Sequence, residues 1–302
     1  MWRLKQHRSL WLALQGTCAA LALYFFARAL AGRWASIAAF HWSFRPGLLA
    51  VSLLLQAVAG LLWASVWNHM MARSGSPLKW KDGVRIYFVS NLAKYIPGSV
   101  WGYVGRAYLG WDKGATAGGV GVSAVWEVGT TVIASLLLTA VTLRAFVGQI
   151  PPAFLALTLV AGLVGLANLI PPVFGRWLQL FERWRVLGSA AGYRWRDLGL
   201  YLLAALATHI LVGAGCFLFA RSFLDIAPQY WWGFTGAWSF AATAGLLFFL
   251  APYGLGVKEG LLVLLLQAFL PLESALLISV ASRLWTIFGE LLNALLAGLI
   301  LR

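Results

Sequence analysis

Residues 91–106, NLAKYIPGSVWGYVGR, interrupt an otherwise apolar run at Pro97-Gly98 and set Lys94 and Arg106 on either side of the interruption. A second stretch answers it. In FFLAPYGLGVKEG, 248–260, Pro252, Gly254 and Gly256 break another apolar run, and Lys258 and Glu259 follow directly. The spacing continues downstream, with Glu127 30 residues after Pro97 and Arg283 31 residues after Pro252, each within a long apolar segment. A charge near the bilayer centre costs at least ~2.5–3.5 kcal/mol on insertion scales, so charges repeated at such depth need a reason.

That depth is a bilayer's, because composition excludes a soluble domain. The chain of 302 residues is 61% hydrophobic and only 11% charged, against about 25% charged in ordinary soluble domains. The expected class is an all-α polytopic membrane protein, with residues 1–302 forming one transmembrane domain. A net charge of +14 suggests nucleic acid in a soluble chain, but here the basic residues lie between apolar runs, where they orient the protein and meet anionic headgroups. Nucleic acid is set aside as a partner.

Six segments exceed or match the ~20 residues needed to cross about 30 Å of hydrocarbon: Ser9–Ala31, Gly47–Met71, Gly118–Leu143, Pro152–Phe174, Gly199–Arg221 and Ser274–Leu301. The first has a basic start but no convincing cleavage site, so it reads as a retained helix. Around the first break the apolar arms Val84–Ile96 and Ser99–Trp111 are 13 residues each, reaching only ~20 Å as helix. Neither arm spans alone, which predicts a re-entrant or broken-helix hairpin; one kinked helix is the alternative, but the two arms together are longer than a single crossing requires. Tyr230–Ala251 and Leu255–Leu270 are the arms of a second one, although Tyr230–Ala251 is long enough for a full crossing, and Gly175–Leu198 reads as a polar loop.

Loop charge orients the spans. Arg3, Lys5 and Arg8 in the N-terminal tail, Arg73, Lys79, Lys81 and Arg85 after the second span, the arginines of the Gly175–Leu198 loop and Arg302 all fall on one side, expected to be the cytoplasm. Arg33 and Arg45 fit this scheme poorly. Both termini are then cytoplasmic and three crossings separate the halves, so 9–146 and 152–302 are expected to form an inverted repeat with hairpin tips converging near the midplane.

A half-helix that starts at depth directs unpaired N–H groups and a partial positive charge into the bundle, which suits an anion. Ser99 is placed to cap the arm after Pro97-Gly98, and Gly254 and Gly256 to let backbone approach a ligand. Ser123, Glu127 and Thr130 recur at helical spacing, as do Ser279, Arg283, Thr286, Glu290 and Asn293. Both stripes are expected to face a polar cavity. Because the charges of the halves are exchanged, Arg106 is expected beside Glu259 and Glu127 beside Arg283. A charge network that only fixes packing is the competing account.

Other residues carry less. Cys18 and Cys216 sit singly in apolar runs, and the four histidines lack metal-ligand spacing, so no metal or cofactor is expected. His209 lies within a span as a packed, hydrogen-bonded side chain. Most tryptophans mark span ends, with Trp101 and Trp126 as exceptions. A Ser123–His209 dyad is a weak match to any catalytic pattern, and no enzyme activity is expected.

The PG…GR break followed by a Glu in the next helix, and P-x-GLGVKEG followed by an Arg in the last, resemble the transmembrane flippase region of lysylphosphatidylglycerol synthases. The likeness covers roughly residues 91–298. Tyr253 and Lys258 depart from the family's usual Pro-Gly-Gly-Leu-Gly-Val-Arg-Glu. The resemblance implies lipid translocation, with Pro97, Gly98, Arg106, Glu127, Gly254, Gly256, Lys258, Glu259 and Arg283 as matching positions. Bifunctional relatives append a soluble aminoacyl transferase domain, which is not expected here, and relatives without it are linked to several lipids, including polyprenyl-linked sugars and hopanoids.

The function expected is a flippase of the cytoplasmic (inner) membrane for an amphiphile with an anionic phosphate headgroup, either an aminoacyl phospholipid or a polyprenyl-phosphate-linked lipid. Lys94, Arg106, Lys258 and Arg283 would hold the phosphate; Glu127, Glu259 and Glu290 would orient those cations or meet a cationic headgroup. An ion or small-solute transporter is the nearest alternative, followed by an intramembrane lipid-modifying enzyme. Besides membrane lipids, a second copy of the chain and a separate lipid-modifying enzyme stay open as partners.

Overall fold

The computed structural model describes residues 43–95, 100–146, 150–182, 193–248 and 254–300, together with Tyr24, Arg28 and residues 31–32. Most of the predicted first span, and Pro97, Gly98, Ser99, Pro252 and Tyr253, lie outside the described residues. The regular elements are helices: α1 (Pro46–Arg73), α2 (Trp80–Asn91) with a 3-10 turn at Leu92–Tyr95, α3 (Trp101–Gly110), α4 (Ala117–Thr142), α5 (Pro152–Leu169), α6 (Pro171–Glu182), α7 (Trp195–Arg221), α8 (Trp231–Leu247), α9 (Val257–Leu266) and α10 (Leu272–Ile300). Among them α1, α4, α5, α7 and α10 are long and apolar enough to cross a membrane. The protein is an all-α multi-pass membrane protein.

Local chemistry sets the boundaries. Pro46 opens α1, where a missing N–H costs nothing, and the Thr116 hydroxyl caps α4 by accepting from Gly119 N at 3.0 Å. One boundary departs from expectation. The fourth span ends at Leu169, because Ile170 precedes Pro171 and is held extended at ψ 127°. The chain then restarts as α6, so the first residues of the expected Gly175–Leu198 loop are helical.

The two ends of α1 locate the two ends of the bundle. At one, Arg73 pairs with Asp197 at 2.9 Å, Ser74 Oγ and Tyr193 Oη lie 2.5 Å apart, and Ser76 Oγ meets Thr116 Oγ1 at 2.9 Å. Burial pushes the Tyr193 phenol up from its ordinary range, so it serves there as a neutral hydrogen-bonding group. Asp82 at the start of α2 and Lys113 just after α3 lie 3.5 Å apart, which brings the beginning of α2 and the end of α3 together. At the other end Arg45 pairs with Asp225 at 3.2 Å. The carboxylate accounts for the Arg45 that loop polarity left unexplained.

The arms around each break pack on one another: a Cβ on Gly105 of α3 would stand 3.3 Å from Ser90 Cβ of α2, and one on Gly245 of α8 would stand 3.0 Å from Lys258 Cβ of α9. Contacts recur in corresponding pairs. Helix α1 lies along α7; α2 packs on α10 as α8 packs on α4; and α3 meets α4 as α9 meets α10. One apolar core surrounds Trp67, Trp126 and Tyr201, and another surrounds Phe234, Leu262 and Trp285. Close approach depends on small residues, as membrane helix packing requires. A Cβ on Gly213 of α7 would fall 2.6 Å from Thr235 Cα of α8.

Candidate functional site

Between these helices lies a cavity of about 260 Å³, walled by both halves of the chain. Gln56, Gly60 and Trp63 of α1, Tyr87 and Asn91 of α2, Lys94, then Tyr103 and Arg106 of α3 and Glu127 of α4 face it from the first half; Thr208 and His209 of α7, Trp238 and Thr243 of α8, and Thr286, Glu290 and Asn293 of α10 face it from the second.

Its charges are paired in two different ways. Arg106, 3% exposed, bonds Glu127 through both Nη1 and Nη2, the second at 3.2 Å. The same carboxylate accepts from Tyr87 Oη at 3.1 Å and Trp63 Nε1 at 3.3 Å. The guanidinium lies among three rings, with Tyr87 at 4.2 Å and Trp67 and Tyr103 at 5.0 Å from its carbon. A bidentate guanidinium among aromatic faces is the arrangement that arginine favours over lysine. Lys94 instead reaches across to α10, where its Nζ sits 2.5 Å from Glu290 Oε1 while Tyr95 Oη donates to Oε2 at 2.8 Å. Both of these side chains keep 16% of their surface open.

A second cluster stands behind the cavity wall. Glu259, in the first turn of α9, accepts from Gly256 N at 2.8 Å and from Arg283 Nη1 of α10 at 2.6 Å. Its backbone carbonyl accepts from the Ser279 hydroxyl at 2.8 Å. Lys258 Nζ lies 4.0 Å from the centre of the Trp238 ring, whose other surroundings include the cavity.

The expected exchange of partners between the halves is therefore incorrect. Arg106 pairs with Glu127 and Arg283 with Glu259, each within its own half, because the short helix after each break packs on the helix that follows it. Gly254 also differs from expectation. Its φ of 61° is the left-handed conformation that favours glycine, but what approaches it is the α8 backbone, since a Cβ there would lie 2.3 Å from Gly245 Cα. Gly254, Gly256, Lys258, Glu259 and Arg283 thus build the second break, while Lys94, Arg106, Glu127 and Glu290 come together at the cavity. Pro97, Gly98 and Ser99 lie outside the described residues.

His209 is packed as expected, its Nε2 3.2 Å from Thr131 O, and the Ser123 hydroxyl donates to Val120 O at 2.9 Å. They do not form a dyad. Trp126 is fully buried against Phe174, Tyr193 and Tyr201 and belongs to the core. Residues that sequence reasoning missed include the ring cage and Gln56. The signal was present, because Gln56, Gly60 and Trp63 recur on one face of α1.

A family model described as the lysylphosphatidylglycerol synthase TM region matches residues 10–292. No curated protein and no solved structure matches the chain.

Proposed function

Since the chain belongs to the lysylphosphatidylglycerol synthase TM-region family, a membership that ties it to lipid biosynthesis or transport, we propose that it moves a phosphate-bearing membrane lipid from one leaflet to the other. The Lys94–Glu290 pair carries this reading. It joins the first break to the last helix across the cavity, and it is open where Arg106–Glu127 is sealed. A headgroup phosphate takes Lys94 in place of Glu290, and an aminoacyl ammonium, where the lipid has one, takes the released carboxylate. Where the lipid has no ammonium, Glu290 keeps the Tyr95 hydroxyl and the open part of its surface to offset its charge. Arg106 and Glu127 hold the wall against which the headgroup moves.

The two breaks, opening at opposite ends of the bundle, serve in this proposal as hairpins of an inverted repeat that rock about the cavity. The setting is the inner membrane, with both termini cytoplasmic. Translocation needs no bond-making step, and a separate enzyme would supply any modified lipid. Ion or solute transport fits less well, because the family to which the chain belongs is tied to lipid biosynthesis or transport.

Reconstitution into vesicles carrying fluorescent lipids, with dithionite quenching of the outer leaflet, tests the proposal. Protein-dependent access to inner-leaflet phospholipid, diminished in Lys94→Ala and Glu290→Gln, is expected. Movement of labelled ions or solutes with no lipid movement would overturn it.

A further inference from the structure

Among the described cavity residues four buried hydrogen-bonding atoms lack a partner: the charged Nε of Arg106, and three neutral atoms from three different helices, Gln56 Oε1 of α1, Thr208 Oγ1 of α7 and Thr243 Oγ1 of α8. Gln56 is 6% exposed and Thr243 4%. Buried polar atoms are almost always satisfied, so three neutral orphans around one cavity point to something that satisfies them.

The glutamine amide has a fixed orientation. Its Nε2 donates to Thr286 O at 3.0 Å, and a flipped amide would set two carbonyl oxygens against each other. Oε1 is thereby left as an acceptor. Gly289 makes room for it, since a Cβ there would fall 2.1 Å from Oε1.

The threonines depart from the habit of this molecule. Thr130, Thr142, Thr235 and Thr286 each donate to the carbonyl four residues earlier, at 2.6 to 2.9 Å, as helical threonines commonly do. Thr208 and Thr243 make no such bond. Their hydroxyls are free both to donate and to accept.

We propose that Gln56, Thr208 and Thr243 form a hydroxyl-reading subsite that recognises the neutral polyol part of a lipid headgroup, resting on the lipid-transport reading above. The chemistry selects the ligand class. An ionised phosphate offers only acceptors, which Gln56 Oε1 cannot meet, and an ammonium offers only donors. A hydroxyl does both, donating to the amide oxygen and exchanging bonds with either threonine. The subsite carries no charge, so it complements the Lys94–Glu290 pair rather than competing with it.

The test uses two lipids of equal charge and carbon count, phosphatidylglycerol and phosphatidylpropanol, which differ by two headgroup hydroxyls. Binding is read by native mass spectrometry with dioctanoyl chains, and translocation by the vesicle assay. Each neutral hydrogen bond is worth roughly five-fold, so the wild type should prefer phosphatidylglycerol by about that factor or more. Thr208→Val and Thr243→Val should lower that preference toward unity by weakening only phosphatidylglycerol, without loss of thermal stability, and Thr243→Ser should retain it. Equal binding of both lipids by the wild type, which is the outcome if ordered water alone satisfies these atoms, overturns the subsite. So does binding of neither, or an equal loss of both in the valine variants. Discrimination in binding without translocation supports the subsite and sinks the transport reading; translocation of both lipids without discrimination does the reverse.

Discussion

Arg283 Nη1 lies 2.6 Å from Glu259 Oε1, tying the helix that begins at the second break to the helix that follows it. Glu259 Oε2 simultaneously accepts from Gly256 N, at the start of the same helix. One carboxylate thus holds a cation and a helix N-terminus. Glu259→Gln should destabilise the protein by a few kcal/mol, toward the ~3–5 kcal/mol that breaking a desolvated pair costs. Exchanging the two charges should not restore stability, because an arginine at 259 cannot accept the Gly256 N–H. Thermal unfolding in detergent of Glu259→Gln, Glu259→Arg, Arg283→Glu and the double exchange decides it; full recovery in the exchange contradicts the capping role.

Arg106 behaves differently from Lys94 because of what encloses it. Arg106→Lys should lose the bidentate contact to Glu127 and the fit among Trp67, Tyr87 and Tyr103. The expected cost is about 2 kcal/mol or more, given a buried carboxylate left with fewer donors. Tyr87→Phe keeps the ring but removes one donor, costing about 1 kcal/mol. Unfolding midpoints in this order are expected, and an Arg106→Lys protein as stable as the wild type would remove the cage from the account.

The positions of these charges were legible from sequence, and so was the helical architecture around them. Pro and Gly within apolar runs marked both breaks, and the arms flanking them fold as short helices close to the expected bounds. Their partners were not legible. Arg106 and Glu127 are 21 residues apart and Glu259 and Arg283 are 24 apart, and no periodicity says whether such a charge meets its own half or the other. Packing of each short helix on the next decides that. Thr208 and Thr243 were hidden for another reason: a threonine in an apolar helix ordinarily satisfies itself by bonding back to its own backbone. Only the structure shows these two failing to do so.

Lys94→Ala and Glu290→Gln should leave stability nearly unchanged while reducing lipid movement. Each side chain keeps 16% of its surface, against 3% for Arg106 and 9% for Glu127, so water can reach the charge left behind and the cost should stay at about 1 kcal/mol. The exchange Lys94→Glu with Glu290→Lys should regain part of the transport lost by either single variant. Parallel measurement of unfolding midpoint and translocation rate checks this. Losses of stability in proportion to losses of transport would instead favour a pair that only fixes packing.

The last prediction concerns the tightest point of the second break. Gly254 adopts φ 61° and lies so close to α8 that a Cβ would stand 2.3 Å from Gly245 Cα and 2.4 Å from Gly245 O. Both obstacles are backbone, which cannot swing aside as a side chain can. Gly254→Ala therefore combines about 1 kcal/mol of left-handed strain with a forced separation of α8 from α9. That separation also shifts Lys258 relative to Trp238, whose ring walls the cavity. Gly245→Ala is the milder change, since its Cβ would meet Lys258 Cβ at 3.0 Å and stand 3.7 Å from Gly254 Cα. Gly254→Ala should thus lower both stability and cavity function, and by more than Gly245→Ala. Unfolding midpoints, together with intrinsic fluorescence of Trp238 in a background where neighbouring tryptophans are replaced by phenylalanine, resolve the two. An alanine at 254 tolerated as well as one at 245 would show that the helices can part there without cost.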